Sequence, residues 1–542
     1  MRCCSRATFE GKRHLAGLHW PVLNLGEKES RVKPTAKIAA STSVIALVLV
    51  ACGSRVVPLS QGQLLPGQTV VPTVGPSGSL GPSTGPSVGG PAAGPSAAAT
   101  VPPGIVNAAC KAKSSPAPGV TATTIKLGLV AALTGPLPGQ FDSAVEASDS
   151  FFDAVNDAGG ICGRKVQLLI RDDNGNGQTD KEVATKLVTE DHIFAFVGSV
   201  SAPDDSGIAQ VSKQYKVPDI GFPLSWARAE NPYAYGAPGQ LQRTTIGLNA
   251  NGSGYLDKLH NIKQIAIFWL KESEVSILEA YGFESAIEQQ TNGAMKICHE
   301  QPSGVLDSNY TNYVVAMKGD CDPRNGNIAV YTTMENNSNI KLAKAMRDQG
   351  FQPTVFAPTF SSYLPSFITD AGGSTEGAYI PMPQVPLERL TDTPQSQWTP
   401  GTFELQRYIN ALNRYHPNHH PPGSFGAPGW GEAGLFATAA AKCGDALTRA
   451  CLFNQLDTMG QYSANGFIVP TKPSDHHIYT ADLIVQVRNG KFVELQPNNR
   501  SGPPGGPDFW DKSVLVDWQK YMCAHQNQFP NMSAKKALLT EC

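Results

Sequence analysis

From about residue 121 the chain alternates between short apolar runs and longer amphipathic stretches. TIKLGLVAAL is a β-branched apolar run closed by Thr-Gly-Pro and predicts a buried strand. Over 142–158, Ala144, Ala147, Phe151, Phe152, Ala154, Val155 and Ala158 recur at helical spacing, and Gly159-Gly160 stop the helix. KVQLLIR is the next strand. Thr179 with Glu182 reads as a capping box opening the helix EVATKLVTE. IFAFVG is a third strand, 204–215 a polar helix, and VPDIGF a fourth strand. This β-α-β-α-β-α-β order predicts a parallel, doubly wound sheet. The pattern then restarts: QIAIFWL, a helix over 274–290, AMKICHE, a helix over 309–318, NIAVYTT, a helix from Asn337 to Gln349, and PTVFAP. Two successive β/α units of similar size predict two similar lobes. Helices follow over 402–415 and 431–450. ADLIVQVRNGKFVEL predicts a hairpin turning at Asn489-Gly490. In the tail, WDKSVLVDWQKYM predicts a helix packed on the outside.

Upstream of residue 121 the periodicity is gone. TSVIALVLVA, at 42–51, is one apolar run, too short for an ordinary membrane span. Lys33 and Lys37 precede it, and small residues and a cysteine close it as Leu49-Val50-Ala51-Cys52. Basic, then apolar, then small is the plan of a secretory signal. The ending resembles the lipobox of bacterial lipoproteins, which implies cleavage before Cys52 and lipidation of that residue. Residues 1–31 fit a signal poorly, so either a start nearer Val32 or an unusually long signal is expected. Residues 54–118 are rich in Pro, Gly, Ser and Ala with almost no charge, a composition that predicts a disordered stalk.

Composition narrows the function. The 542 residues allow two to four domains, and 41% hydrophobic content supports a buried core. A formal net charge of -2 argues against a nucleic-acid partner. After Cys52 there are eight cysteines, without a CxxC pair. In an exported chain this predicts disulfides rather than metal, with Cys298–Cys321 and Cys443–Cys451 as the expected near pairs.

Ile125-Lys126-Leu127-Gly128-Leu129-Val130, then Leu133-Thr134-Gly135-Pro136, then Val155-Asn156-Asp157-Ala158-Gly159-Gly160-Ile161-Cys162-Gly163-Arg164-Lys165 resemble the branched-chain amino-acid-binding proteins. These are type I periplasmic binding proteins of ABC transporters. Arg171-Asp172-Asp173, Val197-Gly198-Ser199 and Gly372-Gly373-Ser374-Thr375-Glu376-Gly377 extend the likeness, which runs from about 124 to about 495 with insertions near 384–400 and 416–430. The resemblance implies an α/β fold of two doubly wound lobes, joined by crossovers near 241–244, 378–384 and 468–480, with ligand between them. The expected organisation is a signal region at 1–51, a tether at 52–120, lobe one at 121–242 plus 384–468, lobe two at 243–383 plus 469–499, and an extension at 500–542.

Ligands of open α/β sheets gather at the carboxyl ends of the strands. Those ends hold Gly135–Phe141, Ser199–Ala202 and Phe222–Trp226 in the first unit, and Trp269–Glu274, Met334–Asn336 and Thr359–Tyr363 in the second. Candidate ligand contacts are Gln140, Phe141, Ser199, Ser201, Ser225, Trp226, Trp269, Glu274, Glu335, Asn336 and Thr359. Hydroxyls and free amides at a helix start suit an anionic head group and aromatics an apolar body, although a Ser there is equally a cap and a Trp equally packing. Amino-acid binders of the family carry a carboxylate after the strand equivalent to PTVFAP. Here Thr359 stands there, and Glu335 is the alternative carboxylate. Asp172-x-Asn174-x-Asn176-Gly177 imitates a calcium loop but has Val183 where a bidentate Glu is required. His416, His419 and His420, and His476-His477, lie in Pro-rich loops without carboxylates at ligand spacing, so no metal is expected. No P-loop, HExxH or GxSxG motif is present. The expected function is a lipid-anchored, extracytoplasmic and monomeric binding protein that passes an amino acid, amide or organic acid to an ABC permease, without a cofactor. A ligand-sensing domain is the alternative, and an exported enzyme a weaker one.

Overall fold

A computed structural model describes residues 109–237, 260–291, 293–476 and 481–495, with short stretches near 101–106, 246–247 and 511–523. The expected signal, Cys52, most of the tether and the 241–244 crossover lie outside the described residues.

The first unit forms around β1 (Thr124–Ala131), α1 (Asp142–Asp157), β2 (Lys165–Asp172), α2 (Gly177–Thr189), β3 (Ala195–Val197), α3 (Ser206–Tyr215), β4 (Asp219–Ile220), α4 (Trp226–Ala229) and β5 (Ala234–Tyr235). Its strands run parallel in the order β2-β1-β3-β4-β5. The second comprises β6 (Ile262–Leu270), α5 (Glu274–Thr291), β7 (Lys296–Ser303), α6 (Thr311–Asp320), β8 (Asn327–Thr332), α7 (Asn336–Asp348) and β9 (Val355–Pro358). It too is parallel, in the order β7-β6-β8-β9. The first strand of each unit is central and flanked by the second and third, so both units wind the same way. Burial on both faces explains why the central strands read as unbroken apolar runs.

β10 (Tyr379–Met382), β11 (Ala481–Arg488) and β12 (Lys491–Glu494) make a third, antiparallel sheet. The β11–β12 turn holds Asn489 and Gly490 at φ 51° and 67°, as a tight hairpin requires. α8 (Pro400–Tyr415), α9 (Gly426–Cys443) and α10 (Arg449–Asp457) return to the first unit. α9 lies directly on α1: Ser148 donates to the Gly429 carbonyl at 3.0 Å, and a Cβ on Gly429 would sit 2.3 Å from the Ala144 carbonyl oxygen. Trp430 packs edge-on against Phe151 and donates its indole N–H to Glu404 on α8. Chain segments 383–385 and 467–469 run side by side, with Gln384 opposite Ile468.

Four expectations need correction. α2 begins two residues before the expected Thr179 box, because Asn176 Oδ1 accepts the N–H groups of Gln178 and Thr179, while Glu182 bonds Gln178 instead. The helix expected over 431–450 breaks at Gly444, and Thr448 caps a new one. Within the stretch expected as a helix the described residues are strands: Asp511–Lys512 pair with Ala481–Asp482, and Leu515–Val516 with Ile246–Gly247. Finally, the segment expected to be disordered is packed at its end. Val101, Ile105 and Val120 are buried, and Cys110 is disulfide-bonded to Cys162. The fully buried Arg164 binds the carbonyls of Lys113, Thr121, Gly444 and Asp445. A covalent staple and one guanidinium hold a segment whose composition could not order itself. The expected pairs Cys298–Cys321 and Cys443–Cys451 are both joined, and Cys523 is also in a disulfide.

Candidate functional site

The carboxyl ends of both parallel sheets face one cleft that opens to solvent. The loop after β1 starts the wall. Gly135, at φ 99°, turns it so tightly that a Cβ would meet the Asn174 carbonyl. Asp172 holds the other side of that turn, accepting the Thr134 hydroxyl at 2.6 Å and the N–H groups of Leu133 and Asn174. The residues that imitated a calcium loop are thus occupied in shaping a turn.

The loop after β4 is held from below. Arg228, 1% exposed in its side chain, is clasped by Asp219 through two bonds of 2.7 and 2.8 Å and by Asp205 at 3.1 Å. It also donates to the Phe222 carbonyl, while Asp205 accepts the Leu224 N–H. The two carboxylates hold the guanidinium charged against the desolvation of its site. This network presents Phe222 and Leu224 to the cleft.

Apolar groups dominate the lining. Phe141, Phe222, Phe360 and Phe425 form a connected cluster with ring centroids 4.9–5.8 Å apart. Phe360 comes from the second unit and the other three from the first, so the cluster bridges the cleft. Polar contacts bridge it as well, among them Ser424 Oγ donating to the Ser361 carbonyl at 3.5 Å. Gln140 reaches the Ser361 carbonyl at 3.5 Å, and Glu274 accepts the Trp226 backbone N–H at 2.7 Å.

Most polar groups of the lining already have partners. Ser276 Oγ accepts the Leu270 N–H and bonds the Thr333 carbonyl. Thr359 and Ser361 bond each other and the Met334 carbonyl. Both oxygens of Glu335 cap α7, accepting the N–H groups of Asn337 and Ser338. Glu279 differs. It projects from the second turn of α5 into the lining and has no hydrogen-bond or ion-pair partner among the described residues. Its side chain keeps an opening toward the cleft, yet protein encloses the carboxyl, and desolvation pushes its pKa up to about 8. Among the described lining residues there is no Lys, Arg or His.

Of the eleven residues expected from sequence, Gln140, Phe141, Glu335 and Thr359 line the cleft. The other seven lie outside its lining. Ser199 Oγ accepts the Val130 N–H inside the sheet, Ser201 sits beside the buried Asp173 carboxyl, and Ser225 caps α4. Trp226 is buried under the rim, Trp269 packs on Tyr281, Glu274 bonds Trp226, and Asn336 bonds Ser366. Sequence reasoning missed Ser276 and Glu279, which belong to the helix after a strand end rather than to the end itself. It also missed Phe425, which starts α9 after a long insertion. The histidine loop has carboxylate neighbours that spacing did not reveal. His416 lies 3.1 Å from Asp149, and His420 lies 2.9 Å from Glu146. Asp149, Asp153 and His416 offer ligand atoms within 4.8 Å of one another.

Residues 124–491 match the family model described as periplasmic binding protein. The chain belongs to this family. It has the type I architecture, two parallel doubly wound lobes around a shared cleft, and its family is one of solute-binding proteins. A Leu/Ile/Val-binding protein of Rhizobium johnstonii is 35% identical over 85 residues, which cover 16% of this chain and 22% of that protein. The alignment thus spans about a fifth of that relative's length. A fatty acid ABC transporter substrate-binding protein from Thermomonospora curvata is similar in structure, with a TM-score of 0.57 at 20% identity, covering 71% of this chain and 95% of the other. A branched-chain amino acid transporter substrate-binding protein from Streptococcus pneumoniae, in complex with isoleucine, has a TM-score of 0.55 at 17% identity, covering 69% and 100%. At these identities the likeness shows the fold. No helix among the described residues is long and apolar enough to cross a membrane.

Proposed function

We propose that this chain is the lipid-anchored, extracytoplasmic binding component of an ABC importer, capturing a small molecule with an apolar body between its lobes and presenting it to the permease. The observation that carries this reading is the cleft itself. It is walled from both lobes, lined by four phenylalanines, and placed where open α/β sheets bind ligands. Closure of two lobes around a solute is what such an arrangement does mechanically. The relatives named above bind branched-chain amino acids or fatty acids, both small molecules with apolar bodies. The anchor rests on Leu49-Val50-Ala51-Cys52 and the uncharged stalk behind it.

Thermal-shift screening of the mature protein against amino acids, amides, amines and organic acids tests the capture. A true ligand at a hundred times its Kd stabilises the folded protein by about 2.7 kcal/mol. A broad library with no saturable shift would refute the reading. Uptake of the radiolabelled hit by cells lacking this gene should fall, and unimpaired uptake would favour a sensing role. Mass spectrometry of the mature N-terminus should show a diacylated Cys52, and Cys52→Ser should release the protein from the membrane.

A further inference from the structure

We infer that Glu279 receives the charged head of the ligand, and that the cleft therefore takes a small molecule carrying an ammonium group on an apolar body. This rests on the solute-binding reading and names the chemistry of the same cleft.

Three observations converge. First, Glu279 is the uncommitted carboxyl of the lining. The hydroxyls of Ser276, Thr333, Thr359 and Ser361 are bonded within the wall, and both oxygens of Glu335 cap α7. A glutamate held only for structure would be expected to have a partner, because a buried polar group without one is costly. Second, the ionisable side chains among the described lining residues are Glu279 and Glu335, both acidic. A ligand whose only charge is a carboxylate would enter beside two acids with no counter-charge. An ammonium would find attraction there. Third, the bridging cluster of Phe141, Phe222, Phe360 and Phe425 supplies apolar area, and the faces of aromatic rings attract cations within about 6 Å.

The position of Glu279 is not that of Thr359, where the resemblance calls for a carboxylate. The acid stands on the second turn of α5 instead of at the strand end, within the same cleft.

This arrangement couples binding to a proton. The free carboxyl is mostly protonated at neutral pH, since desolvation holds its pKa at about 8. An ammonium needs the ionised form, so binding expels one proton to solvent: R–NH3+ meets COOH and leaves COO− paired with R–NH3+. The other titratable group among the described lining residues is Glu335, on the same lobe and already held by backbone N–H groups. On its own helix are Glu274, bonded to the Trp226 N–H, Tyr281, buried against Trp269, and the buried Glu284. Affinity for an ammonium should rise about tenfold per pH unit toward pH 8 and then level, whereas a carboxylate ligand sharing the Glu279 proton should bind more weakly above pH 8.

The test is isothermal calorimetry on the mature full chain at pH 6, 7, 8 and 9 with two matched sets of probes. One is L-phenylalanine, phenethylamine and 3-phenylpropanoate. The other is L-leucine, 3-methylbutylamine and 4-methylpentanoate. The amino acid or the amine of at least one set should bind with the stated pH slope, releasing about one proton at pH 6 as read from buffers of different ionisation enthalpy. The acid lacking the ammonium should bind at least about thirtyfold more weakly. Amino acid against amine distinguishes the two sources of the ammonium, and either supports the inference. Glu279→Gln should weaken binding by a similar factor and abolish the slope, with its thermal unfolding showing that it folds. The wild-type slope requires no variant. Equal binding of acid and amine, a pH-independent affinity, an unaffected E279Q or binding by none of the six overturns the inference. The solute-binding reading falls separately, only if the broad library also fails.

Discussion

Replacing Glu279 by Gln should stabilise the unliganded protein, by an amount that depends on pH. The carboxyl is enclosed by α5 and the cleft wall, and its pKa is pushed up to about 8 from an ordinary 4.5 by desolvation. A carboxyl with a raised folded pKa contributes fully below its unfolded pKa, and that contribution is lost as pH rises through the folded one. At pH 4 the side chain is largely neutral in both states, so E279Q and wild type should have nearly equal stability. At pH 7, about 2.5 units above the ordinary value, the wild type carries a penalty of up to about 3.4 kcal/mol, at 1.36 kcal/mol per unit. The opening toward the cleft lets water relax part of this, and about 1–3 kcal/mol is expected. Urea denaturation of both proteins at pH 4, 5.5, 7 and 8.5 reads the difference as a change in midpoint at constant slope. The advantage of E279Q should grow from pH 4 to 8 and then level. A difference that does not vary with pH, or a wild type more stable than E279Q at pH 8.5, would refute the claim that Glu279 is desolvated and unpartnered.

Three further outcomes are expected. Arg228→Met leaves Asp205 and Asp219 buried without their cation, and should cost about 3–5 kcal/mol in urea denaturation while loosening the loop that carries Phe222; a loss under 1 kcal/mol would contradict the buried network. Converting both Cys443 and Cys451 to Ala opens a loop of sequence separation 8, and by chain entropy should cost about 2–3 kcal/mol without changing the far-ultraviolet circular dichroism. Cys110→Ser should leave the first lobe folded but make the chain before Val120 a site of rapid proteolysis, and unchanged resistance would show that Arg164 suffices to hold the segment.

The alternation of apolar runs with helical periodicity was enough to place the strands and helices of both lobes within a few residues. It works because the central strands are buried on both faces and most helices on one, so local pattern and tertiary burial agree. It faltered where a short-range signal had two outcomes. Thr179-x-x-Glu182 is a valid capping box, yet Asn176 lies nearer the turn and took the N–H groups. The stretch WDKSVLVDWQKYM has apolar and polar residues at spacings a helix would accept, but its described pieces pair as strands instead.

The sequence by itself determined the architecture, the near disulfide pairs and the approximate ring of strand ends around the cleft. Those properties depend on local periodicity, short loops and composition, which are written contiguously. Only the tertiary structure decided which residues face the cleft. Ser199, Ser225 and Trp226 stand at the right strand ends but point into the sheet, a cap and the core. Glu279 and Phe425 are 146 residues apart, on different lobes, and line the same cleft. Whether a carboxyl at a given position is a cap, a lobe-to-lobe contact or a free acid in an apolar cleft depends on what packs around it. Glu335, Glu274 and Glu279 are chemically one residue type in three such surroundings, and no local pattern distinguishes them.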